Sequence, residues 1–178
     1  MARQAVLHIG DINMSEKACF FIGHRSFMPK YDRVAAKNLR LLIAVLAESG
    51  VTDFYSGGSP GWGLFCERSV LMLKKHYPQL RLHLVLPCPP EKQSIDWDIE
   101  NKLTYSVILD NADSIEIVSD DCTDESIKES NLRLAELGDV CICYLYNSRS
   151  RTATAQTVRM ARKAKKSVIN MCTVFRNT

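Results

Sequence analysis

The chain has 178 residues, 46% hydrophobic and 24% charged, which leaves room for one domain with a sizeable core and excludes disorder, collagen-like repeats and coiled coil. No apolar run approaches the roughly 18 residues of a spanning helix, and Asp11 cuts short the only apolar stretch near the N-terminus, so neither a membrane span nor a signal peptide is read and a cytoplasmic protein is expected. The net charge of +3 is too small to argue for nucleic acid, but it is unevenly spread: residues 1–90 sum to +5, residues 91–139 to −10 and residues 140–178 to +8.

Residues 1–17 fit no regular alternation and are expected to form an N-terminal arm or an edge strand; residues 18–178 read as one domain. Ala18–Ile22 is a buried strand ending at Gly23. Asp32 can cap a helix to about Ser49, with Val34, Leu41, Leu42, Val45 and Leu46 along one face and Gly50 as its stop. Thr52–Ser56 is a second strand. It runs into Gly57-Gly58-Ser59-Pro60-Gly61 and a helix reaching about Tyr77. Leu80–Leu86 is a third strand, closed by Pro87-Cys88-Pro89-Pro90, and a helix follows from Asp98 to about Asp110. Ser114–Val118 is a strand and Asp124–Leu137 a helix. Val140–Tyr146 is a nearly continuous apolar strand, as a central position requires. Thr152–Ala164 is a helix and Ser167–Met171 the last strand. The alternation predicts an α/β, Rossmann-like, mostly parallel sheet of about six strands with helices on both faces.

Seven cysteines stand at 19, 66, 88, 122, 141, 143 and 172, with no Cys-x-x-Cys pair and no histidine at ligand spacing. A reduced, metal-free protein is expected. Cys66 and Cys88 fall near the strand ends without a histidine partner, which argues against a nucleophile.

Right-handed crossovers place a ligand crevice at the carboxyl ends of the strands. Those ends carry Gly23-His24-Arg25, Ser56-Gly57-Gly58, Pro87-Cys88 and Asn147-Ser148-Arg149. Glycines let an anion approach the backbone, and a helix N-terminus behind them favours negative charge. The turn lacks both Gly-x-x-x-x-Gly-Lys-Ser/Thr and Gly-x-Gly-x-x-Gly, which excludes a P-loop and weakens a dehydrogenase reading. Arg25 can clamp a phosphate, His24 can bond or stack on a base, and Trp62 and Trp97 are candidate stacking platforms. Glu67, one turn into the second helix, is the one candidate site acid.

These segments resemble the SLOG superfamily, named for the Smf/DprA and LOG proteins, and within it the small stand-alone proteins related to YpsA. The resemblance rests on Phe21-Ile22-Gly23-His24-Arg25, Ser56-Gly57-Gly58 with Gly61, Leu86-Pro87 followed by Gln93 and Trp97, Asn131, Gly138-Asp139, and Thr152-Ala153 with Thr157-Val158 and Ala161. It implies a nucleotide-binding, Rossmann-like fold, often in homo-oligomers, with a site drawn from Gly23, His24, Arg25, Ser56, Gly57, Gly58, Gly61, Trp62, Pro87, Gln93, Trp97, Asn131, Arg149, Arg151 and Thr152. Two departures bear on activity. Gly63 stands where family members usually carry an acid, and Ser150-Arg151-Thr152 replaces a Gly-Gly-Thr turn. LOG-type phosphoribohydrolases resemble one another in a Pro-Gly-Gly-x-Gly-Thr-x-x-Glu stretch here. This chain has no carboxylate after Asp139 to supply that acid, so Arg149 and Arg151 offer phosphate contacts instead.

The resulting expectation is a non-catalytic sensor or sequestering protein for a nucleotide-derived small molecule of ADP-ribose or cyclic-nucleotide type, with no cofactor. The enzyme alternative is LOG-like N-glycosidic cleavage with Glu67 as acid. A DprA-like single-stranded DNA reading draws on the basic C-terminal third, but only Phe175 follows Tyr146 as a stacking aromatic, so nucleic acid is not the expected partner.

Overall fold

Short β-branched and aromatic runs alternate with capped amphipathic stretches, and this rhythm builds β1 (Ala18–Gly23), α1 (Arg33–Glu48), β2 (Asp53–Ser56), α2 (Trp62–Leu73), β3 (Arg81–Leu86), α3 (Pro90–Gln93), α4 (Ile99–Asn111), β4 (Ser114–Ile117), α5 (Asp124–Leu137), β5 (Val140–Tyr144), α6 (Ala153–Lys163) and β6 (Ser167–Asn170). This computed structural model describes residues 17–173, so the expected arm or edge strand lies outside the described residues except for Lys17. The short α3 is an addition to the predicted elements. Asp32 caps its helix as expected, its carboxylate accepting the Ala35 N–H; Asp98 likewise accepts from Asn101, and Thr123 and Ser126 cap α5 reciprocally.

The sheet is parallel throughout, in the order β4-β3-β2-β1-β5-β6. Strand order reverses between β1 and β5, where Cys19 stands opposite Val140 and Gly23 opposite Tyr144. That reversal is the switch point at which an open parallel sheet leaves a crevice beyond its carboxyl edge. Helices α1, α2 and α4 cover one face around Phe21, Phe54 and Leu84. Helices α5 and α6 cover the other around Phe20, Val85 and Cys143. Among the described residues no helix is long and apolar enough to cross a membrane.

Two expectations are corrected here. The inward face of α1 is Ala35, Leu39, Leu42, Ile43 and Leu46, whereas Val34 and Leu41 are 56% and 55% exposed. A periodic apolar pattern wide enough to wrap past the core leaves part of itself in solvent. The cysteines are not all free: Cys88, just beyond β3, is disulfide-bonded to Cys122 in the loop before α5, with Cα atoms 5.1 Å apart. The β3–β4 crossover brings together two cysteines that are 34 residues apart in sequence. The other five are buried and not disulfide-bonded.

Candidate nucleotide crevice at the strand ends

A cavity of about 250 Å³ opens at the switch point. Its lining takes Gly23, His24 and Arg25 from the end of β1, Ser56, Gly57 and Ser59 from the turn after β2, and Pro87 and Gln93 from the segment after β3. One turn of α5 adds Ser130 and Asn131. Gly63, in the first turn of α2, and Ala153 and Thr154, in the first turn of α6, bring two helix N-termini to its border. Both N-termini present the positive end of a helix dipole, and Arg25 is exposed beside them, so the crevice favours an anion. Among the described residues no carboxylate lines it.

The first glycine turn is held from below. The Gly58 N–H donates to Glu67 Oε1 at 2.9 Å, while Gln93 Nε2 donates to the carbonyls of Gly57 and Gly58 at 2.9 and 3.2 Å. Tyr105 in turn donates its hydroxyl to Gln93 Oε1 at 2.7 Å. Burial pushes the Tyr105 phenol well above its ordinary pKa, which keeps it a donor. Glu67 is fully buried, and burial pushes its carboxyl up to about 7 against the downward pull of the Ser56 hydroxyl and the Gly58 N–H. Neither Ser56 Oγ nor Glu67 Oε2 has a hydrogen bond of good geometry. Gly61 has φ of +73°, and a side chain there would run into the Arg25 backbone, so this glycine seats the β1 loop on the turn.

Several candidate ligand contacts have other roles. Trp62 is 0% exposed: its indole packs on Gly23 and against Phe27 and Tyr144, and its backbone N–H, not the indole, donates to the His24 carbonyl. It is a core residue and not a stacking platform, because the turn that starts α2 aims its first side chain into the sheet. Trp97 likewise lies over Tyr105 with ring centroids 4.9 Å apart, away from the crevice. Gly58 and Gly61 shape the turn from outside the lining, and Glu67 sits behind it. Thr152 spends its hydroxyl capping α6 at Ala155. Arg149 and Arg151 are exposed on the loop after β5 and do not line the cavity. That loop is pinned instead by Arg159, which donates to the carbonyls of Ser148 and Ser150 at 2.7 and 2.9 Å.

His24 does line the crevice. Its Nε2 accepts the Tyr146 N–H at 3.2 Å, its ring stacks on Tyr146 at 4.5 Å, and burial lowers its pKa, so the neutral imidazole is the resting form. Residues that sequence reasoning missed are Ser59, Gly63, Ile127, Ser130, Leu134, Ala153 and Thr154. The Thr152-Ala153 motif pointed one step short of Thr154, and Ser130 precedes the expected Asn131. Nothing local marks Ile127, which enters only because α5 packs across the sheet. Among the described residues no group of three or more His, Cys, Asp or Glu side chains is placed to hold a metal.

Residues 28–176 match the YpsA family model, described as the YspA SLOG family. The solved structures similar to this chain include DNA processing protein A from Helicobacter pylori, described for its single-stranded DNA binding mode. It shares 20% identity at a TM-score of 0.61, with 87% of this chain and 65% of that chain covered. This chain therefore spans less than two thirds of that protein. Another is TM1055, a structural-genomics target, at 15% identity and a TM-score of 0.54, covering 85% of this chain and 72% of that one. At these identities the likeness is one of fold. No curated protein sequence matches the chain. The comparison overturns one expectation, that nucleic acid is not a partner: the fold shared here carries single-stranded DNA binding in the Helicobacter protein.

Proposed function

This chain belongs to the YspA SLOG family, and from that premise we propose that its strand-end crevice binds an anionic, nucleotide-derived small molecule and acts as a sensor or sequestering protein. The observation that carries this reading is the convergence, at the β1/β5 switch point, of Arg25, two helix N-termini and a braced glycine turn around a cavity with no carboxylate in its lining. At about 250 Å³ the cavity lies just below the roughly 300–1,000 Å³ range of ligand pockets, so it suits a phosphate with its sugar while the base extends toward the open side. His24, neutral and stacked on Tyr146, offers an acceptor-poor ring edge to such a base or sugar.

The N-glycosidase alternative draws no support from Glu67. Its carboxyl is fully buried behind the turn, outside the crevice lining, with Oε1 taken by the Gly58 N–H. The second reading is single-stranded DNA along the same edge, favoured by the likeness to DNA processing protein A. Exposed Arg149 and Arg151 would then bind successive phosphates.

The test is mass spectrometry of small molecules released by denaturing the purified protein, followed by calorimetric titration with nucleoside phosphates, ADP-ribose, cyclic nucleotides and an oligonucleotide. Saturable binding of a small nucleotide, lost in Arg25→Ala, supports the first reading. Binding of the oligonucleotide alone, with affinity falling steeply with salt, supports the second. Heat from neither ligand class overturns both.

A further inference from the structure

The two helical layers differ in what they leave uncovered. On the α5/α6 layer the large exposed apolar side chains are Leu132 and Met160. On the α1/α2/α4 layer they are Val34, Leu41, Met72, Ile99, Leu103 and Val107. The last three recur at i, i+4 and i+8 along α4, 70%, 62% and 59% exposed, and form a stripe down its outer side. Acids stand at both ends, Glu100 and Asp110, and the one cation of the helix, Lys102, is held on the Ile95 carbonyl, which leaves α4 net negative. On the same layer, α1 and α2 enclose a groove of about 650 Å³ with an apolar floor that includes Ala44, Phe65 and Leu73. Its rim is wholly basic, formed by Lys30, Arg33, Lys37 and Arg40. Among the described residues none of these four cations, and neither Glu100 nor Asp110, forms an ion pair within the chain.

We infer that this layer is the interface of a two-fold dimer, in which the acidic, apolar-striped α4 of each copy lies in the basic-rimmed α1/α2 groove of the other. The occupant follows from complementarity. The groove needs an apolar ridge edged with negative charge, and α4 is such a ridge. The layout permits exchange in both directions, because α2 packs between α1 and α4. A two-fold axis running alongside α2 in the plane of the layer therefore sets each α4 against the partner's groove, as an isologous interface demands. Contiguous exposed apolar surface with a charged rim is the usual composition of such a contact. This inference is independent of the ligand in the crevice, which lies at the sheet edge.

Sedimentation velocity on the full chain reads it directly. The wild type is expected to be a dimer at micromolar concentration. Leu103→Glu removes the central anchor and weakens dimerisation by about 100-fold or more. Because Leu103 is exposed, the circular dichroism spectrum and melting midpoint of the isolated subunit stay unchanged. The decisive arm uses two charge-reversed chains, Arg33→Glu/Lys37→Glu and Glu100→Arg/Asp110→Arg. Each alone faces like charge with like and is a monomer. An equimolar mixture forms a heterodimer, since every groove then meets a helix of opposite sign. A wild type that stays monomeric up to about 100 µM overturns the inference. So does a dimer indifferent to Leu103→Glu, or a mixture that remains monomeric.

Discussion

Two turns face each other across the strand ends, and they are built on opposite plans. The turn after β2 is short of side chains and held from below by three polar residues, Glu67, Gln93 and Tyr105, all buried. The loop after β5 carries Arg149 and Arg151 exposed in solvent, and its bracing comes from surface residues: Arg159 on the Ser148 and Ser150 carbonyls and Gln156 on the Arg151 carbonyl. A backbone that must present N–H groups to an anion needs its conformation fixed in advance, and buried hydrogen bonds fix it. Arginines bring their own donors on long side chains, so the loop beneath them needs less support. The difference predicts that changes around the first turn cost stability, whereas changes on the second loop cost only affinity.

The strongest way to break that contrast is Gly61→Ala. It imposes a side chain at φ +73° and drives it into the Arg25 backbone, with an expected loss of about 4 kcal/mol. A thermal melt should show the midpoint fall by about 8–16 °C. Next is Cys122→Ser, which releases the tie between the segment carrying Pro87 and Gln93 and the start of α5. The expected loss is about 3 kcal/mol, and wild-type protein melted in reductant should fall to the same midpoint.

Glu67→Gln sharpens the contrast through pH. The folded carboxyl titrates at about 7, above its ordinary value of 4.5, so the neutral form is the one the fold prefers. Below pH 4.5 the group is protonated in both folded and unfolded chains. As pH rises from 4.5 through 7 the unfolded chain ionises first, and the wild type loses about 2–3 kcal/mol relative to its acid-side stability. Melts of the two proteins across this window should show the decline in the wild type and its absence in the glutamine variant. A parallel decline in both would remove Glu67 as its source.

Arg149→Ala gives the smallest effect. Because Arg149 lies outside the crevice lining, it is binding of an oligonucleotide along this edge that weakens about tenfold, near 1.4 kcal/mol, by titration calorimetry, and the melting midpoint does not move. A fall in stability instead would mean that the second loop is braced by its arginines and that the two turns are alike.

The fold was largely legible because its signals are local. Asp32 and Asp98 open their helices by hydrogen bonds spanning three residues. The apolar run at Val140–Tyr144 marks a strand buried on both faces. The crevice was legible to the extent that strand ends converge: Gly23, His24, Arg25, Ser56, Gly57, Pro87, Gln93 and Asn131 do meet there. Trp62 misled because a tryptophan beside a glycine turn looks the same in sequence whether its ring points at ligand or at Phe27. Gln93 lines the crevice, but its grip on the Gly57 and Gly58 carbonyls depends on α3, a single helical turn whose sequence has too few residues to show a period.

By itself the sequence determined the alternation of strands and helices, the family, and the chemistry gathered at the strand ends, since periodicity, caps and motifs act over a few residues. Tertiary structure alone decided that Cys88 meets Cys122, that Glu67 is buried under the turn it braces, and that α1 and α4 leave apolar stripes in solvent. Each of these turns on which distant surface a side chain packs against. That is fixed by the way the crossovers stack the two layers on the sheet, and no local pattern encodes it.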